Sequence, residues 1–375
     1  MRSTNIAALG AIEYPNALHF VYDTALINLP SLPEGVTGVA VQILGPNGET
    51  YTEQREIYGE GVTFDISRYL QMLFAGRDFT SGITNNEDTT QPSPTFIGGV
   101  SIGLGIANDG PWDGALVWNN SLDIVWGGLR LGEVGLGSAP RRWWKGYPMT
   151  LDFDIMAGQR VNATSAGQQV GSIITQNTGL QLVDLYRSFP DISGRVNVTT
   201  PQGIIAQNDN RGVGNVTYSL EVVDNCSVNF ERQRYLRWVD NQGRFCYWLF
   251  DVLSEVSEVT SAMWLGGELY RSNAYTYGVN DNSRVRKSLT QGRTVQLVAR
   301  NLPEAYWPLL LSLCTSPLVQ VFDGYEEWHS VAGDTTDALW HRVEVADGSY
   351  TKLTRQHIED FSVIIVEPTF NTQQL

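Results

Sequence analysis

Short apolar runs separated by turn formers dominate the chain, and few runs reach helical length. "TGVAVQIL" (37–44) alternates, meets Gly45-Pro46-Asn47-Gly48, and can be paired by "ETYTEQREIY" (49–58), so this stretch predicts a hairpin. "ALHFVYDT" (17–24) and "VTFDIS" (62–67) predict strands beside it. A short helix is expected from about Arg68, with Tyr69, Leu70, Leu73 and Phe74 on its apolar side and Asp65 or Ser67 as its cap.

Residues 75–97 are polar and rich in turn formers, which predicts a surface loop or an arm. From 98 to 160 the apolar runs are broken by glycine, as in "GGVSIGLGIA" and "LVWNNSLDIVWGGLRLGEVGLG"; glycine weakens strands but permits bulges and close backbone approach. Residues 161–214 are polar again, with short strands such as "GLQLVDLY" and "GRVNVTT".

The strongest pattern is "YLRWVDNQGRFCYWLF" (235–250), six aromatic side chains in sixteen positions. A three-residue turn at Asn241-Gln242-Gly243 sets Asp240 opposite Arg244. Alternation then places Leu236, Trp238, Cys246, Trp248 and Phe250 on one wholly apolar face, and Tyr235, Arg237, Val239, Phe245, Tyr247 and Leu249 on the other. In this register Arg237 lies over Tyr247, where a cation–π contact is possible. Aromatic rings bury about 150–250 Å² each, so the second face also needs a cover. That cover is another part of the chain, another subunit or a ligand. Tyr235, Arg237, Phe245 and Tyr247 are therefore candidate interface anchors, because interfaces favour Tyr, Trp and Arg.

Downstream, "TVQLVAR", "NLPEAYWPLLLSLC", "SPLVQVF", "WHRVEVADGSY" and "FSVIIVEP" predict a β-α-β-β-β order. Asn301 is the expected cap of a helix near 303–313, and Pro308 should kink or split it. The pattern gives a mainly β, multi-domain chain of sandwich or barrel units with a few short helices. Three units are expected: 1–97, a glycine-rich region at 98–214, and 215–375.

Composition narrows the function. The chain has 375 residues, only 17% charged, with 37 Gly and 11 Trp, and a net charge of −15. Such an acidic chain repels phosphate, so specific nucleic-acid binding is not expected. The one dense basic spot, Arg141-Arg142-Trp143-Trp144-Lys145, is instead a candidate contact for an acidic subunit. Three cysteines without a CxxC predict neither a disulfide framework nor zinc. No signal peptide is evident, and no apolar run approaches the roughly 20 residues of a membrane span.

Catalytic and metal signatures are weak. Gly99-Val100-Ser101-Ile102-Gly103 has the spacing of a hydrolase elbow, but the next residues, "LGIANDGPWDGA", cannot start a helix. His329 beside Glu326 and Glu327 reads as a solvated loop histidine. The Asn/Asp clusters at 108–113, 208–210 and 280–282 lack a complete calcium loop and read as turns. No catalytic, cofactor or metal residue is expected. Trp112, Trp118, Trp126 or the rings of 235–250 are the candidate platforms if the chain binds carbohydrate.

The segment "RTVQLVARNLPEAYWPLLLSLCTSPLVQVFDGYEEWHSV…HRVEVADGSYTKL…FSVIIVEP" resembles the ends of distal tail and baseplate proteins of tailed bacteriophages. The 235–250 hairpin and "VTFDISRYLQMLF" are similar to those of gut Bacteroides-type phages. The resemblance covers about 215–368 and a fragment near 62–74. It implies a tail-tube-like or distal-tail-like fold and a structural virion protein of the tail, made in the host cytoplasm. It also implies a ring of identical chains, a hexamer or a trimer of pseudo-sixfold symmetry, joining tail tube to baseplate or fibre proteins. It implies no catalytic residues. A virion adhesin, a head–tail connector and, more distantly, a hydrolase are the alternatives.

Overall fold

A computed structural model describes residues 1–77, 79, 90–108, 110–128, 140–200, 217–223, 232–266, 284–322, 340–346 and 358–373; for 258–266, 284–291, 358–359 and 369–373 it describes the backbone alone. The described chain is mainly β, with several sheets, one closed barrel and three short α-helices.

The N-terminal unit stacks two sheets. One contains β1 (Arg2–Ile6), β2 (Gly10–Tyr14), β4 (Leu26–Leu29) and β7 (Val62–Asp65). The other has the order β3 (Leu18–Phe20), β10 (Trp118–Val125), β9 (Phe96–Ile106), β5 (Gly38–Leu44), β6 (Thr50–Glu56). The β5–β6 hairpin forms as its pattern predicts, with Gly48 at φ +91°. Helix α1 (Ser67–Met72) follows β7. Neither Asp65 nor Ser67 is its N-cap, which is Ile66. Asp65 accepts instead from the N–H and Oγ of Ser67, and Ser67 Oγ ties back to the Ala25 N–H. The unit has its own core, including Ile27, Val41, Phe64, Leu70, Val100 and Ile124. It extends to Val125: a boundary at 97/98 would cut through β9.

In the central unit β15 (Gly179–Asp184) pairs with β8 (Thr90–Pro92) on one edge and β12 (Thr150–Ile155) on the other. A five-stranded sheet stands beside it, ordered β11 (Arg141–Trp144), β17 (Tyr218–Val223), β16 (Gly194–Thr199), β13 (Arg160–Ser165), β14 (Gln168–Ile174). Helix α2 (Leu185–Ser188) is capped by Asp184, whose carboxylate accepts from the Arg187 N–H at 3.2 Å. Part of the expected 75–97 loop is therefore strand, with β8 bound to β15 of its own chain, while 78 and 80–89 lie outside the described residues.

The C-terminal unit is a closed barrel of β18 (Gln233–Val239), β19 (Phe245–Gly266), β20 (Arg284–Pro303), β23 (Ile358–Gln373), β22 (Trp340–Val345) and β21 (Val319–Phe322), in that circular order. Asn301 does not cap the helix that follows β20. It is left-handed at φ +52°, within an irregular stretch of the β20–β23 pairing, and its N–H bonds Asp360 Oδ1 at 2.8 Å. Pro308 does split the helical stretch. A 3₁₀ turn at Glu304–Tyr306 precedes α3 (Trp307–Leu313), with the proline in its first turn where the missing N–H costs nothing. Leu309, Leu310 and Leu313 are fully buried, and the barrel shares one apolar core with the central unit.

Candidate assembly surfaces

The hairpin register is as its sequence requires: Val239 faces Phe245, Arg237 faces Tyr247, and Leu236 faces Trp248. The Asp240 N–H bonds Arg244 O at 2.9 Å, and Gly243 adopts φ +73°. Following the register around the barrel, Leu236, Trp238 and Phe250 share a face with Val295, Leu297, Phe361, Val363 and Ile365, all buried. The intervening Ser362 and Ile364 are exposed, so the apolar face is the barrel interior.

The other hairpin face is covered from within the chain. Tyr235, Arg237, Phe245 and Tyr247 are each at most 2% exposed. Tyr235 packs at a tilt on Tyr147, ring centroids 4.6 Å apart, and donates its hydroxyl to Pro148 O at 3.1 Å. The Tyr247 hydroxyl meets Thr150 Oγ1 at 2.7 Å. The Arg237 guanidinium lies 4.4 Å from the Trp340 ring and 5.6 Å from Phe245, rather than over Tyr247, and its Nε–H bonds Gln320 Oε1 at 2.6 Å. Of the three covers open to these anchors, the central unit and Trp340 supply the one observed. A subunit cannot reach those side chains while the fold is intact.

The basic spot is likewise internal. Arg141, Trp143 and Trp144 are buried on β11, which runs parallel to β17. Arg142 makes two hydrogen bonds to Glu221 Oε2, at 2.7 and 2.9 Å, and its guanidinium lies 5.0 Å from the Tyr306 ring and 5.3 Å from Trp248. Tyr306 also donates to Glu221 Oε2, at 3.0 Å. Burial pushes the Glu221 carboxyl up, but the hydrogen bonds from Arg142 and Tyr306 outweigh it and hold the group below its ordinary range. The Tyr306 hydroxyl is pushed up to about 12 by burial and then by Glu221. This cluster fastens the central sheet to the barrel where β19 is not yet paired with β20.

Among the described residues, one surface is not used up internally. The β19–β20 ladder runs from Asp251↔Val298 to Gly266↔Arg284, whereas β18 leaves β19 at Asp251 and β22 leaves β23 at Val366. Beyond those points β19, β20 and β23 continue as a ribbon, three strands wide as far as Leu289↔Gln373. Val256–Gly266 alone extends about 35 Å at ~3.3 Å per residue. Among the described residues no further strand pairs with either outer edge of this ribbon. Leu253 and Val256, at its root, are each 51% exposed.

Four charges close the barrel where the ribbon leaves it. Arg234 Nη2 lies 2.7 Å from Glu255 Oε1 and its Nε 3.8 Å from Glu367 Oε1. Arg293 bonds Glu255 and reaches Glu367 at 3.6 Å, so each arginine touches both glutamates. Sequence reading missed this ring because its members are 133 residues apart along the chain, from Arg234 to Glu367.

The remaining candidates show no site geometry. Ser101 is inside β9, paired with Ser121 on one side and Leu44 on the other, so it has no strand–turn–helix elbow. The Trp112 indole donates to Ala115 O at 2.9 Å, Trp118 packs on Tyr14 at 5.0 Å, and Trp126 sits among Tyr22, Phe74 and Phe79. Each ring is half-buried against its own chain. Asn108 pins a loop through Thr37 and Gly35, and Asp113 accepts from the Ala115 N–H. His329, Glu326, Glu327 and the clusters at 208–210 and 280–282 lie outside the described residues. Among the described residues no cluster of His, Cys, Asp and Glu is placed to hold a metal ion, and no helix is long and apolar enough to cross a membrane.

Comparison of the chain with protein-family models and with curated proteins found no match.

Proposed function

We propose that this chain is a structural building block of a tailed-bacteriophage virion, a distal tail or baseplate hub component. Copies close into a ring, a hexamer or a trimer of pseudo-sixfold symmetry, that links the tail tube to baseplate or fibre proteins. The observation that carries the reading is the β ribbon running on past the barrel with both outer edges unpaired among the described residues. Open strand edges are templates for another chain, and a monomeric protein normally blunts them. A neighbour that adds its own strand satisfies those groups, and repetition of one such contact closes a ring. The resemblance of 215–368 to distal tail and baseplate proteins points the same way. The net charge of −15 also suits a conduit to which DNA must not stick.

The test is the solution mass of the purified chain by light scattering, with images of the particles by negative-stain electron microscopy. The full chain should form closed rings. A variant in which Asn-Gly replaces 259–291, joining the paired Glu258 and Gly292, should keep a folded barrel and lose the ring. A full chain that stays monomeric at high concentration overturns the reading, and rings unchanged by the shortening remove the ribbon from it.

A further inference from the structure

All three units meet at the hairpin turn, and they meet through polar groups. Thr95, from the segment between β8 and β9, donates its hydroxyl to Gly243 O at 2.6 Å. Ser93 Oγ lies 2.8 Å from Thr95 Oγ1 and 3.5 Å from Asp152 Oδ1 of β12. Asp152 Oδ2 accepts from the Phe245 N–H at 2.9 Å, on the edge of β19 that β20 leaves open. Ser93, Thr95 and Asp152 are at most 3% exposed.

Counting protons along this chain of atoms decides its direction. Gly243 O can only accept, so Thr95 must give its single hydroxyl proton there. The Ser93–Thr95 contact then takes its proton from Ser93. Nothing remains for the Ser93–Asp152 contact unless Asp152 carries a proton of its own. We propose that Asp152 is a proton-binding site, and that its protonated form completes a relay Asp152→Ser93→Thr95→Gly243 O that clasps the hairpin turn to the other two units. When Asp152 releases its proton to solvent, the relay is one proton short. Ser93 must then choose between Thr95 and the carboxylate, and the clasp loosens. The Phe245 N–H bond survives in both states, because Oδ2 accepts either way.

The surroundings agree. Facing Asp152 are Asp240, Arg244 and Cys246 from the hairpin, Tyr247 further along it, Arg141 from β11 and Tyr218 from β17; Asp154 follows on its own strand. Burial raises the Asp152 carboxyl to about 7, against the lowering effects of the Phe245 N–H and Arg244. A folded-state value above the unfolded one means that stability from this proton is complete below about 4 and is lost as pH rises through about 7.

The test is thermal unfolding of the full chain from about pH 5 to pH 8.5. Asp152→Asn keeps an acceptor for Phe245 and a donor for Ser93 but cannot ionise. The melting temperature of the natural chain should fall relative to that of D152N by several degrees across this range. Asp123 and Asp184, also raised by burial, titrate in both proteins and cancel in the difference. Parallel curves overturn the proposal. Should D152N not fold, Ser93→Ala gives the second arm: removing the relay while leaving the carboxyl buried should lower the midpoint of the pH dependence, with burial still holding it above the ordinary carboxylate range. An unmoved midpoint overturns it equally.

Discussion

The N-terminal unit and the barrel each carry a glycine-turned hairpin and a short apolar helix, yet they close differently. The first stacks two open sheets over a core of its own, and its β5–β6 turn stands in solvent, where a Cβ at Gly48 would meet nothing within 4 Å. The second closes its sheet into a barrel, shares its core with the central unit, and buries its turn. There a Cβ at Gly243 would meet Trp126 O at 2.3 Å, and one at Gly127 would meet Asn241 O at 2.4 Å. The same local signal, glycine at positive φ, therefore serves one hairpin only as a bend and the other as a docking point. The cause of the difference lies outside the hairpins, in the 93–95 and 125–128 segments that close over the second turn.

Core truncation is the largest way to break this comparison. Trp238 is fully buried and donates its indole N–H to Ser312 Oγ at 2.9 Å, so Trp238→Ala should cost about 3–5 kcal/mol. Phe64→Ala in the other core should cost a similar amount. In scanning calorimetry each should depress a part of the melt that the other leaves in place. Identical depression of the whole melt by both would mean that the two cores fold as one.

The two turns give the next test. Gly48→Ala places a Cβ in open space at φ +91° and should cost about 1 kcal/mol from backbone strain. Gly243→Ala adds a clash with backbone that cannot move aside, so about 2–4 kcal/mol is expected. Chemical denaturation of the pair checks the difference, and equal losses would show that the seam yields.

Arg142 sharpens the contrast between charge and shape. Arg142→Lys keeps the charge beside Glu221 but loses the planar group set against Trp248 and Tyr306. About 1–2 kcal/mol should go, most of it also lost in Arg142→Ala. A lysine variant as stable as the natural chain would make the contact purely electrostatic.

Legibility in the sequence depends on range. The hairpin faces, the Asp240–Arg244 register and the split at Pro308 depend on residues a few positions apart, and alternation or proline geometry fixes them. The cover of the second face does not. Tyr147, Thr150 and Trp340 reach Tyr235, Tyr247 and Arg237 from 88 to 103 positions away, and no period links them. Arg141-Arg142-Trp143-Trp144 misled for the same reason. A basic run reads as surface until β17 supplies Glu221 and Tyr218 as partners. Asp152 gave no signal beyond the polar alternation of Thr150, Asp152 and Asp154 along β12, which reads as a solvated face although all three are buried.

The smallest effect concerns the charged ring at the barrel mouth, and it separates stability from assembly. Its side chains are 11–38% exposed, so water screens each pair, and a single exposed pair contributes at most about 1 kcal/mol. Closure into a ring raises this only modestly, because Glu255→Gln still leaves Glu367 between the two arginines. About 0.5–1 kcal/mol should be lost at low salt, and less as the ionic strength rises and the screening length shortens. The apolar core below the ring has no such dependence, so the difference between variant and natural chain should vanish in high salt while the Trp238→Ala deficit persists. If the four charges instead set the direction in which the ribbon leaves the barrel, Glu255→Gln should weaken the assembly proposed above far more than it lowers the melting temperature. Light scattering of that variant at low and high salt reads both quantities on one sample, and proportional losses would reduce the four charges to ordinary surface pairs.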